Sequence, residues 1–560
     1  MNMIRYLLVF VLVVAFLTNC GDGNEGMVGE TKKVFRYNQT GGLTSLDPAF
    51  ARNRANIWAV SQLYNGLFSF SRNLDVHPEL VKEWEISEDG KTYTFTIQKD
   101  VHFHDDACFK GGRGRELKAA DFVYSFKRIV DKNTGSTGAW IFNDKVLRAP
   151  NGEISDTAFV AKGEYTFKIY LQRRFPAFLQ ILAMPYAFVV PKEAVEMYGK
   201  DFRSHPVGTG PFMLKRWDEK NSLSLVKNEK YWKKDAKGQQ LPYLDAVQVS
   251  FIEDPNQAFL TFEQGKLDFL TGITDFSRGQ ILEKNGKIKE QFANKFIVDR
   301  TDYLNTEYVG FLLEGKDEKE NPFLNKKLRQ ALSYAVNRKA LISFLRNGLG
   351  KPADYGVVPI ALPSFDSTKV KGYPYNPQKA QELLKEAGYP QGKGLPELVL
   401  NTYTTDKEIA EFLQKEWKNT LGIDVKIETN QFAFHQDLVD NGKVKFFRGS
   451  WLGDYPDAEN YLAMFYSKNF SPTGPNKTHF KNDEFDKLFQ EAHDTDNLFT
   501  RYENYLKMDQ IVMDEAPVIV LYYDEVLQIK QNYVTGLVID AMNNLVLETV
   551  DFKPRNISQK

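Results

Sequence analysis

Apolar positions along the chain alternate between a period of two and a period near 3.6, and the switches mark out strands and helices. Val34 to Asn38, Tyr165 to Leu171 and Ala246 to Ile252 read as strands, and Trp84 to Ile97 alternates on both sides of Glu88-Asp89-Gly90, which predicts a hairpin. Ile57 to Leu67 has helical spacing. In Ala119 to Val130 the residues Phe122, Val123, Phe126, Ile129 and Val130 share one side of a helix, and Phe259 to Leu270 predicts a helix ending near Gly265 followed by a short strand. Phe178 to Pro191 is a buried, Pro-bounded apolar stretch.

From residue 325 the pattern is regularly helix then strand. Asn325 caps a helix carrying Leu328, Ala331, Leu332, Ala335 and Val336, and Asn376-Pro377 opens another that Gly388 and Pro390 stop. Glu408 to Leu421 turns Ile409, Phe412, Leu413 and Trp417 inward, Gly422 ends it, and Ile423 to Ile427 follows as a strand. Phe485 to Ala492 and Tyr502 to Met513 are further helices before Pro517 to Tyr523, an apolar run of buried-strand type. Helix, glycine stop, strand is α/β grammar.

One stretch concentrates chemistry. The strand Val444-Lys445-Phe446-Phe447 leads into a Gly-punctuated loop carrying Arg448, Trp451 and Asp454, closed by Tyr455-Pro456-Asp457. Arg448 offers a donor fork suited to a carboxylate, Trp451 an apolar wall with a polar edge, and Asp454 an acceptor for an ammonium. Six peptide steps span at most roughly 20 Å, so the loop suits a short ligand positive at one end and negative at the other, such as a small peptide.

Composition narrows the classes. At 560 residues the chain exceeds one hydrophobic core. Its 42 Phe, 27 Tyr and 7 Trp suit large internal faces or an aromatic-lined cleft. The balance of 72 basic and 73 acidic residues lacks the basic footprint that nucleic acid requires. Arg5 followed by the apolar run Tyr6 to Leu17, twelve residues and too short to span a bilayer, reads as a signal segment over 1–19. Cys20 comes next, and Gly21 to Lys33 is a flexible tether. Cys108 is the only other cysteine, so a lipid on Cys20 leaves no internal disulfide.

Chemistry of other kinds finds little support. His102, His104, Asp105, Asp106 and Cys108 cluster, but no complementary Cys or His pair follows, and a turn after a strand accounts for them better than a metal site. Pro206-Val207-Gly208-Thr209-Gly210-Pro211-Phe212 is a rigid turn, because Pro211 removes a donor that phosphate binding needs. No Gly-x-Ser-x-Gly, His-Glu-x-x-His or Walker loop occurs; Gly388 to Lys393 is one residue short of the last. A binder, calling for no cofactor and no metal, is expected over an enzyme.

Five segments together resemble the extracytoplasmic solute-binding proteins of peptide ABC transporters. They are Ala120 to Arg128 (ADFVYSFKR), Pro206 to Phe212 (PVGTGPF), Leu328 to Ala335 (LRQALSYA), Glu386 to Pro390 (EAGYP) and Trp451 to Tyr455 (WLGDY), in the family's order. Cys20 after its apolar run resembles a bacterial lipoprotein signal, with Asn19 in place of the usual small residue. The resemblance implies a periplasmic-binding-protein type II-like α/β fold: two lobes joined by hinge segments, with an inserted third domain. Lobe I would comprise 31–70, 201–304 and 519–560, the inserted domain 71–200 and lobe II 305–518, after a lipidated Cys and tether at 20–33, with hinges near Thr301 to Tyr308 and Val518 to Tyr523.

By the same resemblance Asp454 meets the amino terminus of a short peptide, and Arg448 its carboxyl terminus. Ser450, Trp451 and Leu452 would offer backbone to it, while Arg52 and Arg54 contact it from the opposite lobe, where they favour acidic side chains. The implied protein is a monomer on the outer side of a bacterial membrane, lipid-anchored, binding no nucleic acid and serving a permease. Relatives that bind nickel chelates, sugars, haem or cell-wall peptides supply the alternative ligands.

Overall fold

The computed structural model describes residues 32–553; the signal segment, Cys20 and most of the tether lie outside the described residues. Its backbone is a large mixed sheet, whose strands are numbered here β1 (Val34–Asn38), β2 (Phe212–Asp218), β3 (Ser222–Lys227), β4 (Ala246–Ser250), β5 (Phe269–Thr271), β6 (Phe296–Phe311), β7 (Lys351–Pro352), β8 (Leu398–Tyr403), β9 (Val425–Asn430), β10 (Phe446–Leu452) and β11 (Val518–Gln531). Their spatial order is β9-β8-β10-β6-β11-β5-β1-β4-β3-β2, with β7 beside β11.

Two strands belong to both halves of this sheet. The first part of β6, Phe296 to Asp302, pairs with Glu525 to Gln531 of β11, and its last part, Thr306 to Gly310, pairs with Val518 to Tyr523. The register shifts between Asp302 and Thr306, so the ladder bends there. Ion pairs gather at the bend: Arg346 with Asp524, Arg300 with Glu525, and Lys351 with Asp302 at 2.5 Å. The apolar run expected to end at Tyr523 continues to Gln531, because polar Asp524 and Glu525 are absorbed by these partners.

Cores follow the alternation of the strands. On β10, Phe446 packs with Trp417, Leu332 and Ile519 on one face, while Phe447 packs with Tyr461, Met508 and Val512 on the other. In the first lobe Trp58, Val60 and Leu63 share a continuous core with Phe95, Phe122, Phe126 and Phe167 of the inserted domain. That domain holds a four-stranded sheet including the hairpin Val81–Ile86 and Thr92–Ile97, and the helix Ala119–Val130.

Local signals account for the helix ends. The side chains of Asn325 and Asn376 accept from Leu328 N and Lys379 N, and Gly422 closes Lys407–Leu421 with φ of +73°. The helix expected from Phe259 starts earlier, at Pro255, since Asp254 caps it and proline suits the first turn. Likewise Asn53 caps Arg54–Leu63, so the helix read from Ile57 begins three residues earlier, at Arg54. Within the LRQALSYA segment the buried guanidinium of Arg329 donates to Ala516 O at 3.0 Å, and that of Arg338 nearby donates to Val520 O at 2.7 Å. These two arginines tie helix ends to the start of β11.

Candidate functional site

The largest difference from expectation lies in the segment that carries the chemistry. Phe446 to Leu452 is all strand, pairing residue for residue with β6 from Phe311 to Asn305. Arg448, Ser450, Trp451 and Leu452 therefore stand on β10, and the loop begins only at Gly453.

Arg448, expected to meet a ligand carboxylate, has its side chain engaged inside the protein. Its side chain is wholly enclosed, with Glu307 and Asp406 (3.1 Å) as ion-pair partners and Tyr308 O (2.7 Å) and Gly449 O as acceptors. Burial alone would lower its pKa, but Glu307 and Asp406 reverse that and hold it well above the usual arginine range. Its Nε has no partner among the described residues, and it is sealed from solvent. The guanidinium is thus a fixed internal charge joining β10 to β6 and to the start of the helix at Lys407.

Beyond Phe447 the outer side of β10 is open. Strand β8 reaches it only at Asn401 opposite Phe447, and His435 Nε2 donates to Arg448 O at 2.9 Å. Alternation in an antiparallel ladder then puts the N–H and C=O of Ser450 and Leu452 on the side away from β6. Both side chains are exposed. An extended ligand backbone could pair there as one more strand.

Asp454 lies just past this open edge. It lines a cavity of about 670 Å³, with Trp140, Lys145 and Phe175 of the inserted domain and Trp451, Asn460 and Tyr466 of the second lobe. It also lines a second, more apolar cavity of about 220 Å³, with Ile57, Phe70, Met184, Phe188 and Leu547. Among the described residues its carboxylate makes no ion pair. Although open to the cavities, it is sufficiently surrounded that desolvation raises its pKa, against the opposing pull of Asn460 and Lys145.

Asn460 organises the corner. Its Oδ1 accepts from Trp451 Nε1 at 2.9 Å and from Asp454 N at 3.1 Å, which fixes indole and carboxylate relative to each other. Nearby, Glu459 is engaged by the Tyr455 hydroxyl and by His493 at 3.4 Å, and Asp457 pairs with Arg501 at 3.3 Å. Glu459 also lines the larger cavity, but among the described residues Asp454 is the one of these three acids that makes no ion pair. No sequence signal picked out Asn460 or Glu459, because their roles depend on the loop folding back onto Trp451.

In the opposite lobe Arg52 and Arg54 are exposed at the start of a helix whose Ile57 and Ser61 line the smaller cavity. Arg54 lies over the Trp58 ring at 5.4 Å, and burial lowers its pKa while Tyr303 at the bend of β6 opposes the shift. Among the described residues neither arginine has an ion pair. In the His and Asp cluster, His104 is buried with Nε2 donating to Gly210 O at 2.9 Å, and burial lowers its pKa to about 4. Burial, then Asp106, pushes the Cys108 thiol up to about 12. No group of three or more metal-ligating side chains occurs among the described residues.

Comparison with known proteins agrees with this architecture. Residues 75–472 match the family described as bacterial extracellular solute-binding proteins, family 5. The chain is 28% identical to the oligopeptide-binding protein OppA of Bacillus subtilis over 99% of both chains. It is 29% identical to the glutathione-binding protein GsiB of Salmonella typhimurium over 91% of this chain and 93% of that one. The unliganded open form of the murein tripeptide-binding protein MppA superposes with a TM-score of 0.78 at 24% identity, over 94% of this chain and 99% of that one. DppA of Helicobacter pylori in complex with the peptide STSA gives 0.69, also at 24% identity, over 92% and 99%. Among the described residues no helix is long and apolar enough to cross a membrane. With two α/β lobes, an added domain and a match over most of its length, this chain is a binding protein rather than an enzyme and belongs to the bacterial extracellular solute-binding proteins of family 5.

Proposed function

We propose that the protein captures short peptides with a free amino terminus between its two lobes and delivers them to the permease of an ABC importer, held at the outer face of the membrane by lipid on Cys20. The observation that carries the reading is Asp454: a carboxylate with no ion pair among the described residues, lining two cavities, one step beyond an open strand edge. An α-ammonium supplies the missing charge, and the outward groups of Ser450 and Leu452 pair with the ligand's main chain whatever its side chains. Relatives named for oligopeptide, dipeptide and glutathione binding fit this grip. Arg448 being engaged internally, Arg52 and Arg54 on the facing lobe are the cations for the ligand's carboxylate end.

Closure follows from a ligand touching both lobes, which favours the conformation in which it makes both sets of contacts. The direct test is mass spectrometry of ligand released from protein purified under native conditions. Peptides are expected; recovery of only haem or a metal chelate would overturn the reading. A peptide present at about 100 times its Kd should raise stability by about 2.7 kcal/mol without being hydrolysed.

A further inference from the structure

The inserted domain contributes Lys145, Arg173 and Arg174 to the larger cavity, and of these Lys145 stands in an unusual setting. Lys145 is half-buried and lies 5.6 Å from the centre of the Trp140 ring and 5.2 Å from that of Phe175. Its ammonium donates to Trp140 O at 3.3 Å, and among the described residues it makes no ion pair. Burial lowers its pKa, while Glu459, Asp144 and Asp454 oppose that and Arg173 adds to it. The surrounding wall is fixed, since Phe175 packs edge-on against Tyr455 at 6.2 Å and beside His493 at 5.7 Å.

Charge balance gives this lysine a role. Glu459 is committed to Tyr455 and His493, and Asp144 is exposed with Arg148 at 3.5 Å. Asp454 is then the uncommitted acid on which the field of Lys145 falls. Resting on the peptide reading above, a ligand ammonium bound to Asp454 takes up that charge and leaves Lys145 desolvated beside a second cation. The deficit is made good if the ligand brings its own anion close to its amine.

From this geometry we infer that Lys145 is a specificity-determining residue and that the site selects peptides whose first residue carries an acidic side chain, directed into the larger cavity between Trp140 and Phe175. A neutral side chain there leaves the lysine uncompensated, and a basic one adds like charge to it.

Calorimetry of the full mature chain with Glu-Ala-Ala and the near-isosteric Gln-Ala-Ala tests this. The acidic peptide should bind at least about tenfold tighter, the scale of a single desolvated charge pair. Lys145→Met should bring the ratio close to one, and Lys145→Arg should keep it. Lys145→Glu should reverse the order so that Lys-Ala-Ala binds tighter than Glu-Ala-Ala. Equal affinities in the unaltered protein, or a ratio that survives Lys145→Met, would overturn the inference while leaving peptide capture intact. Failure of all three peptides to bind would overturn the peptide reading and this inference with it.

Discussion

Arg448 and Asp454 stand at the two ends of one short segment, and their environments are opposites. Arg448 is enclosed between two carboxylates and two carbonyls, and its charge holds strands together. Asp454, six residues on, is surrounded enough for its pKa to rise yet has no cation within ion-pair distance among the described residues. A charge whose partners are all internal is part of the scaffold; a charge left incomplete at a cavity is available to a ligand. The pair shows why a charged residue type in a suggestive loop does not by itself assign a role.

The sharpest way to break this contrast is to remove Arg448. Arg448→Ala leaves Glu307 and Asp406 buried without their counter-charge, and stability should fall by about 3–5 kcal/mol, measured by chemical denaturation. A smaller loss accompanied by a selective loss of peptide affinity would return Arg448 to the ligand. Asp454→Asn should do the reverse: affinity for a tripeptide should fall by roughly 2–5 kcal/mol, with stability unchanged or slightly raised. In the unaltered protein the affinity should weaken on acidification at a higher pH than an ordinary aspartate would give, because the raised pKa means protonation begins earlier. Titration calorimetry from pH 7 to pH 4 reads this directly, and the asparagine variant should show a flat profile.

A third acid sharpens the comparison by separating burial from ligand access. Asp509 is buried, accepts from Val357 N at 2.8 Å and Val358 N at 3.4 Å, and has no cation at ion-pair distance among the described residues, yet it lines neither of the cavities that Asp454 lines. Burial pushes its pKa up to about 7, so the folded state keeps this proton to higher pH than the unfolded chain does. Its contribution to stability is complete below about pH 4 and is lost as pH rises through 7, at up to about 1.4 kcal/mol per pH unit within that window. Asp509→Asn should remove that slope without altering peptide affinity. The smallest effect belongs to Trp451→Phe, which forfeits the bond to Asn460 and should cost about 0.5–1.5 kcal/mol of peptide affinity through a less firmly held Asp454.

Much of the fold is readable in the sequence because its signals are local. Asn325, Asn376 and Gly422 act on the residues beside them, and the helix Ala119–Val130 follows from its own apolar stripe. Strand β10 is different: Arg448-Gly449-Ser450 looks like a loop, and only the ladder to β6 makes it strand. The fate of Arg448 was hidden for the same reason, since Glu307 and Asp406 lie far away in the chain and come together only across the sheet. Lys145 gives no sequence signal beyond its nearness to Trp140, and its setting depends on Phe175 arriving from another segment. Asp454, the acid proposed to meet the ligand, stands out in the sequence because a single acid at a strand end, next to Tyr-Pro, shows even before its surroundings are known.

The shared strands β6 and β11 also constrain how such a protein can be built or divided. Each begins in one half of the sheet and finishes in the other, so cutting either at the bend would leave both fragments with a half-made ladder and a raw edge. New segments can be spliced into the surface loops, but the gene cannot be parted there into two independently soluble products, and limited digestion at the bend should yield nicked chains that stay together until denatured.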